Sequence, residues 1–210
     1  RSPISAKLFA NLLIGSGTSR VLTMDLHANQ IQGFFDIPVD NLFAAPTFVQ
    51  HVKKNIKSKH LVCVAPDVGG VERARAIAKR LSADLAIIDK RRSGPGTSEV
   101  MNVIGDVRNK ICVIIDDLVD SGGTIVNAAT ALKNKGAKDV YAYVVHGVLT
   151  GQAVKKINNS KIKKFVISNS ILNSKKIKKS KKFQVISVGT LFAEAIKRIS
   201  ISKSVSKLFK

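Results

Sequence analysis

A chain of 210 residues has room for one large domain, or for one domain with part of another. Its 45% hydrophobic and 23% charged residues are ordinary for a soluble globular protein, and no apolar run approaches the ~20 residues a membrane span needs. With no tryptophan and 5% aromatics the core must come mainly from Ile, Val, Leu and Ala, while a net charge of +21 calls for a polyanionic partner or a compositional cause.

Arg1 opens the chain in place of a methionine, with no charged-then-apolar leader behind it, so further sequence upstream is expected. A helical pattern over Ser5–Leu13 leads into a strand at Val21–Met24 and then a polar string beginning Asp25-Leu-His27. His27 between acids at a strand end can meet a metal ion or phosphate oxygens, or be an ordinary packing or surface residue. Further strands are read at Leu61–Ala65, Leu85–Asp89, Ile111–Ile115, Val140–Val145, Phe165–Ser168 and Gln184–Val188. Helices are read at Val71–Leu81, Gly123–Lys135 and Leu191–Ile199, and Lys90–Val107 is the only long stretch without clear structure. The strands are continuous apolar runs, as in parallel sheets covered on both faces, so the expected class is α/β with a doubly wound parallel sheet.

Cys63 and Cys112 sit inside two of these runs, fit no zinc spacing, and read as core hydrophobes of a protein in a reducing cytoplasm. Lys155–Lys182 carries eleven lysines and no acid. That run suits a nucleic-acid or anionic surface, but it lacks arginine and, apart from Phe165, aromatics. We read it as solvated composition and expect neither a nucleic-acid nor a membrane partner.

The most informative segment is Val113-Ile-Ile-Asp-Asp-Leu-Val-Asp-Ser-Gly-Gly-Thr124. A strand ends in Asp116 and Asp117, and Asp120, Ser121, Gly122, Gly123 and Thr124 then form a loop into a helix. Glycines let the backbone wrap an anion, a helix start aims free N–H groups at it, and the two hydroxyls add donors. The acids repel phosphate but suit vicinal sugar hydroxyls or hydrated magnesium. Ribose 5-phosphate fits both halves. No G-x-x-x-x-G-K-[ST] loop is present.

This segment resembles the phosphoribosyl diphosphate loop of type I phosphoribosyltransferases, and alone it leaves transferase and pyrophosphokinase both open. The string Asp25-Leu-His-Ala-Asn-Gln-Ile-Gln-Gly-Phe-Phe-Asp-Ile-Pro-Val-Asp40 decides, because it resembles the signature of ribose-phosphate pyrophosphokinases without departure. Pro66-Asp67-Val68-Gly69-Gly70 resembles that family's magnesium-holding turn, and Ile88-Asp89-Lys90-Arg91-Arg92 resembles the start of its catalytic loop. The resemblance runs over nearly the whole chain and is weakest between Lys155 and Lys182.

The resemblance implies transfer of the diphosphoryl group of Mg–ATP to the 1-hydroxyl of ribose 5-phosphate. It assigns His27 and Asp67 to Mg2+, with Asp25 as a further metal or nucleotide contact. Lys90 and Arg92 meet the transferring phosphates, Arg92 also touching ribose 5-phosphate, and Asp116, Asp117 and Asp120 to Thr124 hold that substrate. Arg1, Ser204, Val205 and Ser206 fall at a regulatory phosphate and ADP site. The implied assembly is a dimer-based homo-oligomer, a hexamer, in the cytoplasm. Residues 1–43 correspond to the second half of a first phosphoribosyltransferase-like domain, 44–190 to a second, and 191–210 to a terminal helix packing on the first. The family's adenine contacts lie largely upstream of Arg1, so the chain alone is expected to lack much of an ATP site. A phosphoribosyltransferase would need a base-recognising hood, for which no segment offers itself. A non-catalytic subunit of the same fold would have lost the catalytic residues, which are present.

Overall fold

The structure, a computed structural model, describes residues 4–91 and 100–209. Their chain falls into two compact units, one drawn from residues up to Ala44 and from Leu191 onward, the other spanning Ala45–Thr190.

In the first unit, helix α1 (Ser5–Gly15) precedes a two-stranded parallel sheet of β1 (Val21–Met24) and β2 (Val39–Leu42), joined through a 3₁₀ helix at Asn29–Phe34. The sheet register is fixed by Val21 opposite Val39 and Met24 opposite Leu42. Near the chain's end, Phe209 of the 3₁₀ helix Val205–Phe209 meets the Phe43 ring edge-on at 5.4 Å.

The second unit contains α2 (Ala45–Asn55), β3 (Leu61–Ala65), α3 (Val71–Leu81), β4 (Asp84–Arg91), β5 (Val100–Ile104), β6 (Ile111–Val119), α4 (Gly123–Asn134) and β7 (Asp139–Gly147). It continues through α5 (Ala153–Asn158), β8 (Lys164–Ser168), α6 (Ser174–Ile177) and β9 (Phe183–Ile186), and α7 (Gly189–Ser200) starts at its end. The sheet order is β5-β4-β3-β6-β7-β8-β9, parallel throughout except for β5 against β4. Alternate residues of each strand face opposite layers. Val62, Val64, Cys112, Ile114, Ala142 and Val144 join Ile125, Ala128 and Leu132 of α4 in one buried cluster. On the other face Tyr143 packs against Phe48 of α2 at 5.4 Å. The doubly wound reading is thus realised, with both cysteines fully buried and unpaired.

Besides the short helices α5 and α6, which were not read, four features differ from the sequence reading. The expected long irregular stretch holds β5, an edge strand paired back onto β4, so Lys90 lies within a strand opposite Met101 rather than after one. Strand β6 does not stop at Ile115: its ladder with β7 carries it through Asp116, opposite Val144, to Val119, opposite Gly147. Pairing to a neighbour holds polar residues extended even where they break an apolar run. Helix α2 was not read, although Phe48, Val49, Val52 and Ile56 make a helical stripe after Pro46 in the first turn. Strand β2 is short and polar at its centre and carries almost no signal of its own.

A partly buried polar network ties α2 to the sheet. The Tyr143 hydroxyl lies 2.9 Å from His51 Nδ1, and His51 Nε2 lies 2.9 Å from the Gln184 side-chain amide. Burial, with the Lys54 ammonium nearby, lowers the His51 pKa from its ordinary 6.5. The unfolded chain therefore takes up this proton more readily than the folded one. The contribution is complete above about pH 6.5 and declines as pH falls through the folded value. In urea titrations from about pH 7 to pH 5.5, His51→Gln should show a shallower loss of stability than the parent. Parallel curves would remove His51 as the cause.

Candidate active site

Strands β3 and β6 are adjacent and parallel, yet the chain continues from β3 to β4 on one side and from β6 to β7 on the other. In open α/β sheets ligands collect beyond the carboxyl ends of the strands at such a reversal. Asp67 follows the carboxyl end of β3, and Asp116 and Asp117 occupy that end of β6.

These three acids are close enough to feel one another. Burial, then the Asp117 carboxyl, then Asp67 push the Asp116 carboxyl well above the usual carboxylate range. Asp116 accepts the N–H of Asp117 at 2.9 Å. Asp117 is buried, its side chain 5% exposed, and forms an ion pair at 3.4 Å with Arg73 in the first turn of α3. Asp67 accepts the Gly70 N–H at 2.9 Å, which closes the turn into α3 while the residue stays exposed.

The loop Asp120–Thr124 rises from β6 into α4. Gly122 is the N-cap with φ +77°, a left-handed conformation that glycine adopts without penalty, and no side chain caps the helix. A Cβ there would meet Ile157 at 3.4 Å, so the loop rests directly on α5. Ser121 and Thr124 are exposed. Uncapped helix-start amides beside two hydroxyls form an anion cradle.

A second loop supports the first. The N–H groups of Val148 and Leu149 both donate to Val119 O, at 3.0 and 3.1 Å, and that of Thr150 donates to Asp120 O at 3.1 Å. The Thr150 hydroxyl donates to Asp120 Oδ1 at 2.6 Å.

The remaining expected residues lie on other elements. Lys90 is exposed on β4, and Arg92 lies outside the described residues, as does Arg1. In the first unit His27 is exposed, whereas Asp25 is buried, adopts φ +42°, and accepts the Ala44 N–H at 2.7 Å. That carboxylate fixes a turn. Ser204 and Ser206 share a hydroxyl contact of 2.7 Å, and Arg198 holds Ser204 O at 3.2 Å. Arg73 and Thr150 were missed by the sequence reading. The only signal for Arg73 was a cation one turn after the Pro66–Gly70 segment; Thr150, thirty residues from its partner, had none.

The donor set fits a hard divalent cation. Burial and the neighbouring carboxyls raise the Asp116 pKa, and positive charge brought to the site offsets both. Among the described residues no three His, Cys, Asp or Glu side chains converge as a complete cage. Mg2+ suits such a site because it keeps waters and shares substrate phosphates.

The family described as the phosphoribosyl synthetase-associated domain matches residues 92–210. The whole chain is 56% identical to a ribose-phosphate pyrophosphokinase of Bradyrhizobium diazoefficiens and 57% identical to one of Brucella melitensis, covering 66% and 67% of them. A crystal structure of phosphoribosylpyrophosphate synthetase from Mycobacterium smegmatis superposes with TM-score 0.88 at 35% identity, over 96% of this chain and 65% of that one. The chain spans about two thirds of the length of these relatives.

Arg73 compensates a buried carboxylate while itself 21% exposed. Replacing it by Met should therefore lower the unfolding free energy by about 2 kcal/mol. Asp117→Asn in the same chain should recover most of that loss, because the uncompensated charge is gone. Additive losses in urea denaturation would break the assignment.

Proposed function

The chain belongs to the ribose-phosphate pyrophosphokinase family, and from that membership we propose that the protein transfers the β,γ-diphosphoryl group of ATP to ribose 5-phosphate. The products are phosphoribosyl diphosphate and AMP, for nucleotide biosynthesis. The observation that carries the reading is the pairing, at the sheet's reversal, of an anion cradle with an acid pair. One sugar phosphate satisfies both.

In this reading the backbone of Ser121 to Thr124, with the Ser121 and Thr124 hydroxyls, holds the 5-phosphate. Asp116 accepts from the ribose hydroxyls, and Asp117, held by Arg73, is the fixed member of the pair. The substrate's 1-hydroxyl oxygen attacks the β-phosphorus, the bond from that phosphorus to the α-bridging oxygen breaks, AMP departs, and the hydroxyl proton is lost to solvent. Lys90 and Arg92 place positive charge where it develops on the transferring group. His27 and Asp67 are assigned to Mg2+, which when bound neutralises the phosphate oxygens. Ser204, Val205 and Ser206 are assigned, with Arg1, to a regulatory phosphate and ADP site. A dimer-based homo-oligomer in the cytoplasm completes the proposal; the buried free thiols of Cys63 and Cys112 agree with reducing surroundings, and no described helix is long and apolar enough to cross a membrane.

The test is AMP release from Mg–ATP by the full-length protein. It should require ribose 5-phosphate, and AMP formation independent of the sugar, or ADP as the product, would contradict the proposal. Lys90→Ala should lower turnover at least about 100-fold with little change in ribose 5-phosphate affinity, because its charge is needed at the transition state rather than in the ground state. Unchanged turnover would remove Lys90 from its role.

A further inference from the structure

The loop after β7 makes more contacts with the sugar-phosphate loop than chain connectivity requires. Two N–H groups, from Val148 and Leu149, converge on the single carbonyl of Val119, and Thr150 donates to Asp120 through both its N–H and its hydroxyl. The bracing loop is itself held. Leu149 is buried at 2% exposure with φ +54°, a conformation unfavourable for a leucine and kept by its surroundings. Lys176 of α6 donates to Val148 O at 3.0 Å and to Leu149 O at 3.2 Å, and Asn173 donates to Gly147 O at 2.5 Å. Its C-terminal end runs into α5, where the Ala153 N–H closes on Thr150 O.

Asp120 is the one acid in a loop assigned to an anion. A carboxylate free to swing into that cradle would repel a phosphate. We propose that Thr150 is a positioning residue for sugar-phosphate binding: its hydroxyl holds the Asp120 carboxylate in one orientation and so keeps the loop open to the 5-phosphate. This rests on the ribose 5-phosphate reading above.

The experiment is calorimetric titration of ribose 5-phosphate into the full-length protein, its Thr150→Val and Thr150→Ser variants, and Asp120→Ala alone and combined with Thr150→Val. Valine keeps the shape and loses the donor, whereas serine keeps the donor. Thr150→Val should weaken ribose 5-phosphate binding about tenfold, the value of one charge-assisted hydrogen bond, and Thr150→Ser should restore it. In steady-state assays the loss should appear in the KM for ribose 5-phosphate with kcat nearly unchanged. In the Asp120→Ala background, Thr150→Val should have little further effect, because Thr150 acts through that carboxylate. Should Thr150→Val not fold, Thr150→Ala at the same exposed position gives the same comparison. Parent-like affinity in Thr150→Val, or full additivity with Asp120→Ala, overturns the proposal while leaving the ribose 5-phosphate reading in place. A parent protein that does not bind ribose 5-phosphate overturns both.

Discussion

Three carboxylates stand where two parallel strands leave the sheet in opposite directions, and much of the second unit serves to keep them there. Asp67 is fixed by the turn into α3, Asp117 by Arg73 from that helix, and Asp116 by the extension of β6 along β7. Burial first, and then the neighbouring carboxyls of Asp117 and Asp67, raise the pKa of Asp116. Among the described residues Arg73 is a fixed cation beside them, paired with Asp117. In the proposed reading, a divalent cation bound together with the phosphorylated sugar relieves that crowding of carboxyls.

The anion cradle follows from the same geometry. Once β6 is carried on to Val119, the chain must turn sharply into α4, and Gly122 at φ +77° turns it without bringing a capping side chain to the helix start. The loop after β7 then lies along it, and α5 packs beneath Gly122. Part of the lysine-rich stretch is absorbed by this support. Lys176 satisfies two carbonyls of the bracing loop, Lys182 holds Ser160 O at 2.6 Å, and Lys163 pairs with Asp139 at 2.9 Å. Lys176 and Lys182 pin irregular backbone and Lys163 pairs with a carboxylate at the start of β7, so the run is not only solvated charge.

The sequence made the sheet and the loop legible because both are local. Continuous apolar runs announce doubly covered strands, and Ser121 to Thr124 after two acids announce a cradle within twelve residues. Less visible was whatever depends on pairing between distant segments. Strand β5 exists because β4 offers it an edge, and Asp116 is extended because Val144 lies opposite. Arg73 and Thr150 act on partners 44 and 30 residues away. The Asp25 carboxylate, which the resemblance offers as a metal or nucleotide contact, accepts the Ala44 N–H, a contact no spacing rule supplies.

The account stands or falls on where a sugar phosphate sits. A crystal structure of the protein with ribose 5-phosphate should place the 5-phosphate within hydrogen-bond distance of the Ser121 to Thr124 amides, with the ring hydroxyls on Asp116. A ribose 5-phosphate bound away from the β6–α4 loop, or reversed with its phosphate toward the acids, would contradict it.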